Sequence, residues 1–395
     1  MNIKIEDSLN KLEKWVEDHN YKGYDPADGL TSYLKPLTFG NLLLDRILQQ
    51  LVWRCPINIR PLLGVKPLDS NIGRGYMAWG YLTRYKTTGD EKYKDKAETC
   101  LDWLKVNKAP GYKDYSWGKM FDFASRGGRQ NKFEPITIWT SLIGFAFIDA
   151  YEITQDKKHL EVAESICNWI LSIPRNRTTT GLCLNYTAKG EGNCVIHNQS
   201  MIGAALLAKT YKYTGNKDFL EVASAAMEYS CTRQKADGSW LYGEDAMYQW
   251  IDNFHTGYNL DALMCYIEST GDTTYRNNLK IGFGFYKNNF FEPTGRPKYY
   301  HNRTYPVDSQ CISQSIETLA NFSEYDHDAL NLSERVANWA IDNMQDKTGY
   351  FYYAQYPLFT LKVPLIHWAQ ATTYKALALL ITKKTKQRCN KRNLR

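Results

Sequence analysis

What this sequence lacks narrows its chemistry first. Nine cysteines are scattered through 395 residues with no CxxC pair, so neither a paired-thiol zinc site nor a redox dithiol is available, and reduced core thiols are expected. Histidine is scarce, seven in all, and no HExxH or HxxEH spacing joins them, so no metal and no cofactor are expected. GxGxxG, phosphate-loop, GxSxG and kinase patterns are missing, which argues against nucleotide and serine-hydrolase chemistry. No apolar run reaches membrane-spanning length, and the opening MNIKIEDSLNKLEKW is amphipathic and charged, without the apolar core of a secretion signal. A cytoplasmic protein with no membrane partner is expected. Nor is there a basic stripe. The net charge of +7 comes partly from the tail KKTKQRCNKRNLR, so nucleic acid is not an expected partner.

What is present is aromatic surface and repetition. Aromatic residues make up 14% of the chain, with 29 Tyr and 11 Trp, enough to serve both helix packing and a wide cleft that stacks on ring-shaped ligands. The segments YKTTGDEKYKDKA from Tyr85, YEITQDKKHLEVA from Tyr151 and YKYTGNKDFLEVA from Tyr211 align, and a fourth copy with one inserted residue runs from Tyr266 through Gly271 and Asp272 to Tyr275. In each copy an apolar helix ends at the aromatic, glycine or a substitute stops it, and Asp or Asn caps the next helix. The copies lie about 60 residues apart, room for two helices and a loop.

The first helix of each copy is apolar nearly all round and therefore buried; the second is amphipathic and wet on one side. Six inner helices are expected, at Gly75, Trp139, Met201, His255, Ser309 and Ala369, with five outer helices following them. The sixth lacks a successor. Closure by the N-terminal helix near residues 5–19, or by the one at 39–52, completes an all-α, single-domain (α/α)6 toroid. Residues 1–70 supply the closing helices and loop, 71–384 the catalytic toroid, and 385–395 a basic disordered tail. The long segments between outer and inner helices then meet at one end and line a common funnel.

Polar residues recur where the inner helices begin: Asn71 and Arg74, Glu134, His197 and Asn198, Asp252, Asn253 and His255, Asp308 and Gln310, His367 and Gln370. N-capping accounts for an isolated Asp or Asn. It accounts less well for His197, His255 and His367, which point to a shared site. Asp252, His255 and Tyr258 fall three apart, so they project to one face at the helix entry, and carboxylate, imidazole and phenol together can give, take and relay protons. Asp252 and Asp308 are the candidate carboxylate pair of a glycosidase, with Asp25, Asp28, Asp122, Glu134, Glu244 and Asp245 in reserve. Arg74, Arg126, Arg129 and Arg303 are candidates to clamp a carboxylate or sulfate. Trp117, Trp139, Trp240, Trp250 and Trp368, with Tyr115, Tyr242 and Tyr248, offer platforms for sugar rings.

The repeat architecture and the stretch WIDNFHTGYNLDAL resemble the six-hairpin glycosidase superfamily, particularly the unsaturated glucuronyl and rhamnogalacturonyl hydrolases, and are similar to toroidal polysaccharide lyases. The resemblance implies an enzyme that cleaves an oligosaccharide or polysaccharide containing acidic sugars, with Asp252, His255, Tyr258 and Asp308 as catalytic groups. Asn253, Trp250, His197, Asn198, Gln310, His367, Trp368, Gln370, Trp139 and Arg74 are expected to bind the substrate. A lyase would use Asn253, His255 and Tyr258. An epimerase or isomerase would set His255 against His367 as two bases, and a non-catalytic glycan-binding toroid would keep the tryptophans alone.

Overall fold

The computed structural model describes residues 3–125, 128–189 and 195–393. Thirteen α-helices are present among them: α1 (Ile3–Asp18), α2 (Leu42–Arg54), α3 (Asn71–Thr88), α4 (Glu91–Val106), α5 (Thr137–Thr154), α6 (Lys157–Ser172), α7 (His197–Thr214), α8 (Lys217–Cys231), α9 (Asn253–Thr270), α10 (Arg276–Asn289), α11 (Ser309–Asn321), α12 (Ala329–Met344) and α13 (Thr372–Asn393). The odd-numbered helices from α3 to α13 form the inner ring, each packed on the next and α13 back on α3. α4, α6, α8, α10 and α12 back them.

The repeat chemistry acts as its composition dictates. α3, α7 and α9 end at Gly89, Gly215 and Gly271, and α5 at Gln155, all in the left-handed conformation, with the cap N–H donating to the carbonyl of Tyr85, Tyr211, Ile267 and Tyr151 respectively. Asp90, Asp156 and Asn216 then cap α4, α6 and α8 through their side chains. The fourth copy departs from this pattern. Asp272 accepts from Thr274 N, and α10 begins later, after Tyr275, without a side-chain cap.

α1, not α2, supplies the missing outer helix: it packs on α13 and α12. Its buried Glu13 accepts from Tyr374 Oη of α13 at 2.6 Å and from Lys96 of α4 at 2.5 Å, fastening the two ends of the ring. α2 lies instead at the loop end. The tail expected to be disordered continues α13 to Asn393. Part of its charge is paired, Lys384 with Glu334 and Lys383 and Lys386 with Glu324, which ties the start of the tail to the body.

Short antiparallel ribbons occupy the loop end: β1 (Lys22–Gly23) with β2 (Leu68–Asp69), β3 (Phe123–Ser125) with β4 (Gly128–Gln130), β5 (Arg175–Thr178) with β6 (Gly181–Leu184), and β7 (Val307–Asp308), β8 (Ala354–Gln355) and β9 (Thr360–Leu361) in that order. Between them runs a series of entry bonds. The first N–H groups of five inner helices donate to a tyrosine carbonyl in a neighbouring loop: Thr137 to Tyr186, His197 to Tyr242, Asn253 to Tyr299, Ser309 to Tyr353, and, at the lead into α13, Ile366 to Tyr24, over 2.8–3.1 Å. The helix ends are thereby satisfied inside the protein.

Closure of the ring depends on close approach of α3 to α13. A Cβ on Gly80 would stand 2.5 Å from Cδ1 and 2.8 Å from Cε1 of the buried Tyr374 ring. Gly80→Ala is therefore expected to destabilise the protein by about 1–3 kcal/mol. A urea midpoint lowered at constant m-value is the expected result, and an unchanged midpoint would contradict the packing.

Candidate active site

At the loop end the inner helices enclose a cavity of about 420 Å³. Its wall is largely aromatic, including Tyr76, Trp139, Tyr186, Tyr242, Trp250 and Trp368, and two imidazoles, His255 and His367, face into it.

His255 sits in the first turn of α9, between the rings of Tyr242 and Phe254 at centroid distances of 4.1 and 3.9 Å. The buried Asp252 ahead of it does two things. One oxygen caps α9 by accepting His255 N at 3.0 Å, and the other accepts His255 Nδ1 and Trp250 Nε1, both at 2.7 Å. Because a carboxylate only accepts, Nδ1 carries the hydrogen and Nε2 is the nitrogen available to a ligand.

His367 lies in a π-helical turn, Ile366–Ala371, leading into α13. Its Nδ1 is 3.4 Å from Asp25 Oδ2, and Lys119 Nζ lies 3.1 and 3.2 Å from the two oxygens of Asp25. The entry bond from Ile366 N to the Tyr24 carbonyl brings these distant parts of the chain together, and Gly23 permits it: a Cβ there would stand 2.8 Å from Ile366 Cβ. Burial pushes the imidazole down to about 4, with Asp25 opposing and Lys119 reinforcing the shift, so His367 is neutral at pH 7. Burial alone would raise the Asp25 carboxyl, but Lys119 and His367 more than offset it and hold the group well below the usual carboxylate range.

Two carboxylate-backed imidazoles thus line one cavity. In the same cavity Tyr258 Oη meets Tyr76 Oη at 2.8 Å and accepts from Gln310 Nε2 at 2.6 Å. Burial pushes both phenols above the ordinary tyrosine range, so at neutral pH they are hydrogen-bonding groups rather than bases. The arrangement can remove a proton at one position and deliver one at another, with the phenol pair available to hold a developing oxyanion.

Of the residues expected to form the site, His255, Tyr258, Trp250, Asn198, Gln310, His367, Trp368 and Trp139 line the cavity, as do the platforms Tyr242 and Tyr248 and the reserve groups Glu134 and Arg129. The others serve elsewhere. Asp308 is not among the lining residues; it caps α11 through Cys311 N, and burial pushes it up to about 6. His197 has both ring nitrogens engaged, by Ser230 at 3.1 Å and Glu244 at 2.6 Å. Asn253 accepts from Tyr286 and Ser315, and the Gln370 amide pairs with the Phe351 backbone. Arg74 pairs with Asp69 and stacks over Tyr21 and Trp103. Asp252 acts behind His255 and does not line the cavity. Arg129 does, but is paired with Asp45; Arg303 covers Tyr300; Arg126 lies outside the described residues. Tyr76, Lys119, Tyr186 and Tyr299 escaped sequence reasoning. The signal that points to two of them, a loop tyrosine recurring ahead of each entry bond, is present at Tyr186 and Tyr299.

Fold and cavity together define an (α/α)6 toroid with a two-histidine funnel, and solved structures bear out that fold. Cellobiose 2-epimerase from Bacillus thermoamylovorans is similar over 97% of this chain and 100% of its own, with a TM-score of 0.66 at 13% identity. A GH76 α-mannanase from Bacteroides thetaiotaomicron gives a TM-score of 0.58 at 13% identity, over 81% of this chain and 87% of that one. An unsaturated glucuronyl hydrolase specific for heparin gives 0.57 at 12% identity, over 83% and 90%. No family model and no curated protein matches the chain.

Lys119 is the charge that most directly opposes protonation of His367 after burial itself. In Lys119→Met the His367 resonance, followed by NMR in histidine-labelled protein, is expected to titrate above the wild-type value of about 4. A titration left in place would contradict the assigned cause.

Proposed function

We propose that this chain is a sugar epimerase or isomerase that moves a proton next to the carbonyl of a ring-opened sugar. The observation that carries the reading is the pair of imidazoles, His255 on Asp252 and His367 beside Asp25, on different walls of one aromatic cavity. One imidazole removes the proton from the carbon beside the carbonyl. The bond electrons pass into a carbon–carbon double bond and the carbonyl oxygen becomes an enediolate oxygen, within reach of the Tyr258–Tyr76 hydroxyls. Return of a proton to the same carbon from the opposite face gives the epimer, with the neutral His367 as the base and His255, entering as imidazolium, as the donor; delivery to the former carbonyl carbon, with the hydroxyl proton of the adjacent carbon passing to the former carbonyl oxygen, gives the ketose. No electron donor or acceptor is needed. Asp252, bonded to His255 Nδ1, stabilises the imidazolium form of His255.

Several features favour this reading over hydrolysis. A glycosidase needs two carboxylates facing the scissile bond, whereas Asp308 caps a helix and Asp252 is committed to His255 and Trp250. Glu134 is the carboxylate among the described lining residues. Lyase chemistry would ask Tyr258 to act as base, against its raised pKa. The lining cation Arg129 is already paired with Asp45, which favours a neutral sugar over an acidic one. The tryptophan platforms suit either.

A panel of reducing mono- and disaccharides, neutral and acidic, separates the readings when products are followed by chromatography and reducing-end assay. Expected is a C2 epimer or ketose from a neutral sugar at constant reducing ends, with a loss of about 10²–10⁴-fold in kcat/KM in His255→Asn. New reducing ends would indicate a hydrolase, and ultraviolet absorbance of an unsaturated uronide a lyase.

A further inference from the structure

We propose that the arm formed by residues 33–63 docks the protein on an anionic lipid surface. Burial in α2 is inverted. Two of its three buried side chains are polar, Val52 being the third: Asp45, fully buried, accepts from Lys35 Nζ at 2.8 Å and pairs with Arg129, and Gln49 bonds both backbone groups of Ala124 at 3.1 and 3.2 Å. Its outward side chains are apolar, with Leu43 62%, Ile47 46% and Leu51 63% exposed at four-residue spacing. Phe39 at 87% and Leu62 at 73% stand out from the turns on either side. Among the described residues, ten of the sixteen large hydrophobics left exposed fall between Tyr33 and Leu62. An apolar concentration of this kind is a contact surface rather than the scatter found on any protein.

Charge identifies what the surface meets. Residues 29–67 contain one acidic side chain, the buried Asp45, while the half-buried Arg46 and the exposed Arg54 and Lys66 stand among the apolar groups without an ion-pair partner among the described residues. A second copy on this face would set these cations against themselves with no free carboxylate between them, since a two-fold interface repeats the same patch on both sides. An anionic headgroup layer answers both features: cations pair with phosphate and serine carboxylate, and the projecting Phe39, Leu43, Ile47 and Leu51 enter the acyl boundary as an interfacial helix does. No helix of the described residues is long and apolar enough to cross a membrane; the arm would lie on one, against the expectation drawn from the sequence. Because Trp53 of α2 lines the cavity, docking places the mouth of the funnel beside the lipid. This inference is independent of which sugar reaction the cavity runs.

The test is sedimentation of the full chain with sucrose-loaded vesicles, either of phosphatidylcholine alone or with phosphatidylserine as a third of the lipid. Binding to the serine-containing vesicles, weakened by salt and slight on phosphatidylcholine, is expected. Leu43→Ser/Ile47→Ser/Leu51→Ser, whose side chains contact solvent and not the core, is expected to keep its circular dichroism and melting temperature while its partition coefficient falls at least tenfold. Arg46→Glu/Arg54→Glu should lose the preference for phosphatidylserine. Failure of wild type to bind either vesicle, or equal binding by the leucine variant, would overturn the proposal. A lipid-free dimer seen by sedimentation velocity and dissociated by that variant would also overturn it, in favour of a second copy.

Discussion

Helices buried on every side must satisfy the N–H groups of their first turns without water, and the rest of this structure follows from how that is done. Five entries into the inner ring hand an N–H to the backbone carbonyl of a loop tyrosine: Tyr186, Tyr242, Tyr299, Tyr353 and Tyr24. The bond fixes each loop against its neighbour's helix, and the rings of Tyr186, Tyr242 and Tyr299 line the cavity. The last bond joins the N-terminal segment to the approach to α13. It closes the mouth of the toroid and sets Asp25 beside His367. Closure and formation of the second imidazole site are one event.

The same requirement explains how much was legible in the sequence. Helix pairing was readable because the stop and cap signals Gly89–Asp90, Gln155–Asp156 and Gly215–Asn216 are local, and each acts within its own turn. The mouth was harder, since a polar residue at a helix entry serves capping and chemistry through the same position. Asp252 and Asp308 look alike in sequence, and both cap a helix; only Asp252 also holds a histidine. His197 holds in α7 the entry position that Asn253 holds in α9, two residues ahead of His255, and Ser230 and Glu244 occupy both its nitrogens. Asp25 could be no more than a reserve carboxylate until the Tyr24–Ile366 bond brought it to His367. The helical tail escaped because Lys383, Lys384 and Lys386 pair with Glu324 and Glu334, which sequence places far away.

The N-terminal segment carries more than closure. α1 backs α13 through Glu13, while Arg60, buried with Asp28, donates to both carboxylate oxygens at 2.9 and 3.0 Å and to the Asp25 carbonyl at 3.2 Å. The arm is thereby anchored to the loop that bears Asp25. Apart from the buried Val52, α2 holds itself on β3 by polar contacts and leaves most of its apolar side chains outward, the reverse of a helix that folds by hydrophobic burial. Its position is set from below by hydrogen bonds, which frees the outer face for another surface.

The central claim is that His255 and His367 act as two proton-transfer groups on one substrate. The most direct measurement is solvent deuterium entering a reducing sugar in D2O, located by NMR, in wild type, His255→Asn and His367→Asn. The account predicts label at the carbon beside the carbonyl, or at the former carbonyl carbon of a ketose product, in wild type, and severe loss of product formation in both variants. Turnover in wild type with no label at either carbon, together with an undiminished rate in either variant, would contradict it.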